Sequence, residues 1–160
     1  MHGSYARFAA MIATSTVVMF GLMYLNTYSL DHVRFSEARA YMALYMGAAM
    51  TVIMFAYMLG MYPNRTANFA IFAGSAVVFG VALFLLRSQA TVQDVAYMRA
   101  MIPHHSIAIL TSERADISDP RVRALADGII EAQRREIAEM DALIADLRGG
   151  PPATPEIDGR

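Results

Sequence analysis

Cysteine is absent from the 160 residues. Its absence excludes disulfides, thiolate nucleophiles and thiolate metal sites. It leaves the compartment open, because chains without cysteine occur in every compartment. Charge is scarce, 17% of residues against 56% hydrophobic, and the formal net charge of −1 gives no electrostatic basis for nucleic-acid binding. The chain also lacks a nucleotide-binding loop, a serine or cysteine nucleophile motif, and a transport pathway of charges inside its apolar runs. These absences point away from an enzyme.

The scarcity of charge is uneven. From Phe8 to Arg87, Asp, Glu, Lys and Arg occur only within residues 31–39, at Arg65 and at Arg87 itself, whereas Asp94 to Arg148 carries most of the charge. Phe8 to Tyr28, Tyr41 to Tyr62 and Phe69 to Leu86 are uncharged runs of 21, 22 and 18 residues. A membrane-spanning helix needs about 20 apolar residues at ~1.5 Å each, so all three qualify, the third narrowly. Tyr28, Tyr41 and Tyr62 sit at run ends, where amphipathic rings favour a membrane–water boundary. Tyr62-Pro63-Asn64 is a stop and turn signal, so the loop 63–68 should join the second and third spans as a tight hairpin. The first run is longer than the apolar core of a typical signal peptide and lacks a clear small-x-small cleavage site, which favours a retained anchor. The expected organisation is a membrane domain over 1–90, a helical hairpin over 91–148 and a disordered tail over 149–160. Arg7 and Arg65 on one side against Arg34, Arg39 and Arg87 on the other do not decide the orientation.

Methionine is abundant, 13 residues, and Met42, Met46, Met50, Met54 and Met58 recur every fourth position of the second run. On an α-helix such a row drifts by roughly 160° and forms a slanted ridge. Packing between helices is one reading, supported by the small Gly47, Ala48, Ala49 and Gly60 nearby. A thioether path for a soft cation such as Cu(I) is the other.

Beyond the third run, Thr91 to Ser112 reads as a helix that Pro103 should bend or restart just before His104 and His105. Ser118 or Asp119 followed by Pro120 caps a last helix, which Gly149-Gly150-Pro151-Pro152 ends. Its seam is Val122, Leu125, Ile129, Gln133, Glu136, Met140, Leu143 and Leu147. Glu136 on that seam must pair with an arginine such as Arg99 or Arg114, point to water, or face the histidines with Met140. Met98, Met101, His104 and His105 share neighbouring turns, and thioether with imidazole suits copper in either oxidation state, with zinc possible at imidazole.

Met101-Ile102-Pro103-His104-His105, followed by Arg123-Ala124-Leu125-Ala126 and by the stretch from Ile129 through Gln133 and Glu136 to Met140, resembles the domain-of-unknown-function 305 family. The resemblance covers roughly Asp94 to Leu147. Tyr28-Ser29-Leu30-Asp31-His32 and Gly47-Ala48-Ala49-Met50 resemble a bacterial subgroup with three spans ahead of this domain. The resemblance implies a ferritin-like helical fold and, for some members, periplasmic copper binding linked to copper tolerance. It implies the ligands Met98, Met101, His104, His105 and Met140, with Glu136 as ligand or supporting group. Family members often carry a further methionine where Leu110-Thr111 stands here, so this site would be weaker or completed by another chain.

The expectation is therefore an all-α chain: three transmembrane helices, then a two-helix hairpin that dimerises into a four-helix bundle, since two helices bury little core alone. Its function would be copper capture, buffering or tolerance at a bacterial inner membrane, with a copper-handling partner conceivable and the domain on the periplasmic side. His32 lies on the same side and could reach the domain. A metal-free docking module anchored in the membrane is the alternative. A di-iron oxidase is disfavoured because no Glu-x-x-His motif occurs.

Overall fold

The computed structural model describes residues 4–153. Among them the chain forms five α-helices and no strand: α1 (Tyr5–Leu22), α2 (Glu37–Met58), α3 (Arg65–Ser88), α4 (Asp94–Arg114) and α5 (Pro120–Asp146). Single 3-10 turns stand at Leu30–His32 and Leu59–Met61. The all-α architecture is as the sequence indicates. Of the expected tail, Gly149 to Ala153 folds back, with the Ala153 N–H donating to Asp146 Oδ2 at 3.1 Å; the remainder, 154–160, lies outside the described residues.

Three helices, Tyr5–Leu22, α2 continued to Met61, and Arg65–Ser88, are long and apolar enough to cross a membrane. Their ends differ from the uncharged runs for local reasons. Residues 65–68, expected in the loop, form the first turn of α3, because Asn64 caps it by accepting from the Ala67 N–H at 3.1 Å. In the other direction α1 stops at Leu22, well short of Tyr28. The buried Arg39 of α2 donates to the Met23 carbonyl at 2.6 Å, satisfying one of the orphan acceptors at the end of α1.

The chain divides into two compact units. The first holds, of the described residues, 4–23 and 37–91, with α2 packed against both α1 and α3. Phe8, Phe55 and Tyr62 form its buried aromatic cluster, and Met54 and Met58 pack on it. This end of the methionine ridge is thus core packing, where a polarizable thioether beside rings is favourable. An apolar groove of 520 Å³ runs over α2 between residues of α1 and α3. Its Thr16 and Thr51 hydroxyls donate to the carbonyls of Ile12 and Gly47 in their own helices.

The second unit holds, of the described residues, 24–36 and 92–153. The 24–36 connection, expected to lie with the membrane domain, belongs instead with α4 and α5. The hairpin core is Met98, Ile102 and Ile109 of α4 against Ile137, Met140 and Ile144 of α5. α4 runs through Pro103 as one helix rather than restarting there, with Pro103 buried. On α5 the buried face keeps Met140 and Leu143 of the expected seam but otherwise shifts away from it. Ala126, Ile137, Met140 and Ile144 are buried, whereas Val122, Leu125, Ile129 and Leu147 are exposed.

Candidate metal centre

The site grows from helical phase. Successive residues of an α-helix are about 100° apart, so adjacent histidines cannot share a face. The core face of α4, set by Met98, Ile102 and Ile109, brings His105 to its edge beside α5 and turns His104 to solvent. The two rings are 6.3 Å apart, nearly edge to face.

A cleft of 650 Å³ lies between α4 and α5, lined by Met98, Met101, His105, Glu136 and Met140 among others. Five of the six residues that the sequence indicates as ligands therefore meet in one place, and His104 lies outside it. Tyr97, Leu143 and Leu147 give the cleft apolar walls, and Asp94, Glu139 and Asp146 bring further carboxylates. No lysine or arginine lines it, so its potential favours cations. Sequence reading missed these three carboxylates, although Asp94 stands one turn before Met98, Glu139 one turn after Glu136 and Asp146 one turn after Leu143.

His105 Nε2 stands 3.5 Å from Glu136 Oε2, and Gln133 Nε2 reaches the same carboxylate oxygen at 3.5 Å. Glu136 thus faces the histidine, rather than Arg99 or Arg114. His105 Nδ1 is buried and has no hydrogen-bond partner, and Gln133 Oε1 is in the same condition. An orphaned buried polar atom costs on the order of 1–3 kcal/mol, and a bound ion is one of its ordinary explanations. Burial lowers the pKa of His105, the Glu136 charge opposes that shift, and His104 adds to it. Burial thus shifts the imidazole towards its neutral form, the state a metal requires.

Among the described residues no three His, Asp or Glu side chains gather as a metal-binding group. Any ion held here would depend on the thioethers. His32, itself part of the second unit, meets α4 at Ser106 rather than in the cleft: its Nδ1 lies 2.9 Å from Ser106 Oγ.

Residues 86–156 match the family described as Domain of unknown function (DUF305). The chain is also 30% identical over 146 residues to an uncharacterised protein, L153, of Acanthamoeba polyphaga mimivirus, covering 87% of this chain and 94% of that one. An alignment of that length extends beyond the 86–156 match into the three-helix half. No solved structure matches the chain.

Proposed function

The chain belongs to the DUF305 family, and on that premise we propose that it is a membrane-anchored protein that captures or buffers copper on the periplasmic side of a bacterial inner membrane. One observation carries the reading: three thioethers, an imidazole with an orphaned buried nitrogen, and a carboxylate line a single cleft of negative character. Met98, Met101, Met140 and His105 would hold the ion, with Glu136 as ligand or as the group that orients the ring. Thioether sulfur selects Cu(I) over harder ions. Zinc binds imidazole and carboxylate but not thioether, so it would find only His105 and Glu136 as close partners here. His104, turned to solvent, is left out of the set. The protein acts as a binding protein and not as an enzyme, with copper as its cargo.

Anchoring in the bilayer is supported by three helices of spanning length, and the periplasmic side by the copper-binding members of the family. A second copy of the chain is its main partner. α4 and α5 form a two-helix hairpin, and Val122, Leu125 and Ile129 continue along α5 from the cleft wall as an exposed apolar stripe. A four-helix bundle covers such a stripe.

The test is titration of the detergent-solubilised chain with Cu(I), Cu(II) and Zn(II) under competition with a chelator. We expect one Cu(I) per chain, affinity reduced at least about tenfold in His105→Ala, and near-native affinity in His104→Ala. Absence of binding tighter than the chelator in the native chain would sink the copper reading and favour a metal-free docking module.

A further inference from the structure

The 24–36 connection is tied to the hairpin at three points. The Tyr28 N–H donates to Ser106 Oγ at 2.7 Å, and His32 Nδ1 meets the same oxygen at 2.9 Å. Arg34 Nη2 pairs with Asp141 at 3.3 Å, and the Arg134 guanidinium stands over the Tyr28 ring at 5.9 Å. Ser106 is fully buried, as is its neighbour Ile102.

The helical phase of these contacts is informative. On α4, His105 lies on one flank of the core face and Ser106, about 100° further round, lies on the other. On α5, Glu136 and Leu143 line the cleft, whereas Arg134 and Asp141 fall on the opposite flank. The hairpin therefore has two sides. The connection closes one, and the cleft occupies the other.

Ser106 directly follows His105, so whatever fixes the rotation of α4 at Ser106 fixes it at His105. With one lone pair of Ser106 Oγ occupied by the Tyr28 N–H, the hydroxyl hydrogen is available to His32 Nδ1. Turning α4 so as to carry His105 away from Glu136 would break both bonds, and their buried oxygen would lose its partners. The region needs such a fixture, because Pro103 has no N–H and leaves the Arg99 carbonyl without its helical donor one turn before the site.

We infer that His32 and Ser106 are positioning residues: they latch the connection that follows α1 onto α4 and thereby hold His105 in place for the metal. The inference rests on the copper reading of the cleft. It assigns a function to His32, which touches no ligand, and to a stretch of chain outside the matched 86–156 segment. Groups bonded directly to a ligand typically change metal affinity by about 10–100-fold when removed, and a latch one residue away belongs at the lower end of that range.

The experiment is Cu(I) titration of the full chain in detergent for the native protein, His32→Ala, Ser106→Ala and His32→Asn. Asparagine branches at the same bond distance as Nδ1 and can bond to Ser106. We expect His32→Ala and Ser106→Ala to weaken Cu(I) binding about tenfold or more with unchanged stoichiometry, and His32→Asn to recover most of the loss. Amide hydrogen exchange of the metal-free chain supplies a second measurement: residues 104–110 should exchange faster in both alanine variants and return towards native rates in His32→Asn. Native affinity in both alanine variants overturns the latch while leaving the copper site standing. So does a His32→Asn variant as weak as His32→Ala with exchange unrestored. Failure of the native chain to bind Cu(I) overturns the copper reading itself, and the positioning role with it.

Discussion

At His105 burial and the neighbouring charges act in opposite directions. Burial favours the neutral ring, the Glu136 carboxylate favours the imidazolium, and His104 works with burial; the lowered pKa shows that burial prevails. The unfolded chain takes up this proton near pH 6.5, the ordinary value, whereas the folded chain does so only at lower pH. Between the two, the unfolded state holds more protons, so acid favours unfolding. His105 thus contributes stability above about pH 6.5 and loses it as pH falls through its lowered folded value. Glu136→Gln removes the opposing influence and should lower the His105 titration further, while His104→Ala should raise it. Both shifts can be followed by NMR at the His105 ring proton of the metal-free chain, and an upward shift in Glu136→Gln would show that another group sets the balance. The methionine and histidine spacing on α4 made Met98, Met101 and His105 legible in the sequence, and the α5 seam with the family resemblance added Glu136 and Met140. It could not rank His104 against His105, because the choice depends on which side of α4 meets α5, and that is decided by residues 20 to 40 positions away in α5.

Between α1 and α2 the contact is set by a glycine. A Cβ on Gly47 would lie 2.4 Å from Thr16 Oγ1 and 3.2 Å from its Cγ2. The Thr16 hydroxyl is itself committed to the Ile12 carbonyl at 2.9 Å, so relief requires either breaking that bond or separating the helices. Gly47→Ala should destabilise the chain by about 1–3 kcal/mol, the usual range for overpacking. Thr16→Ala should cost less, and the double variant should recover most of the loss, since the two sites share one contact. Thermal unfolding in detergent followed by circular dichroism measures all three, and additive losses would count against the clash. Uncharged runs revealed the number and order of these helices but not their ends. Met23 to Tyr28 is as uncharged as Phe8 to Leu22 and yet leaves the helix, because Arg39 takes the Met23 carbonyl and Tyr28 turns to Ser106. The α5 seam was displaced for a related reason. Val122, Leu125 and Ile129 form one apolar stripe, and Ala126, Ile137 and Ile144 form another about a fifth of a turn away. Periodicity alone does not say which of them meets α4.

For the whole molecule, the connection after α1 changes what the second unit has to bury. A bare two-helix hairpin would expose both of its sides. Here residues 24–36 cover one side, so a single further surface is left to be covered, and it is the side that carries the cleft. Val122 at 48%, Leu125 at 65% and Ile129 at 38% exposure extend that surface along α5. Burying such side chains fully is worth on the order of 1.5–3 kcal/mol each, which makes them the expected seam of the dimer. Leu125→Glu with Ile129→Glu places two carboxylates on the seam of each copy, and four would meet across a two-fold axis. The hairpin's own core, from Met98 to Ile144, is untouched by the change. The native chain is therefore expected to sediment in detergent as a dimer and the double variant as a monomer of unchanged helix content. Loss of Cu(I) binding in that monomer would mean that the second copy completes the site, in keeping with the methionine missing at Leu110-Thr111. Retained binding would mean that Met98, Met101, His105 and Met140 of one chain suffice. A double variant that remains dimeric would place the contact elsewhere, because glutamates on α5 leave the three apolar helices of the first unit unaltered.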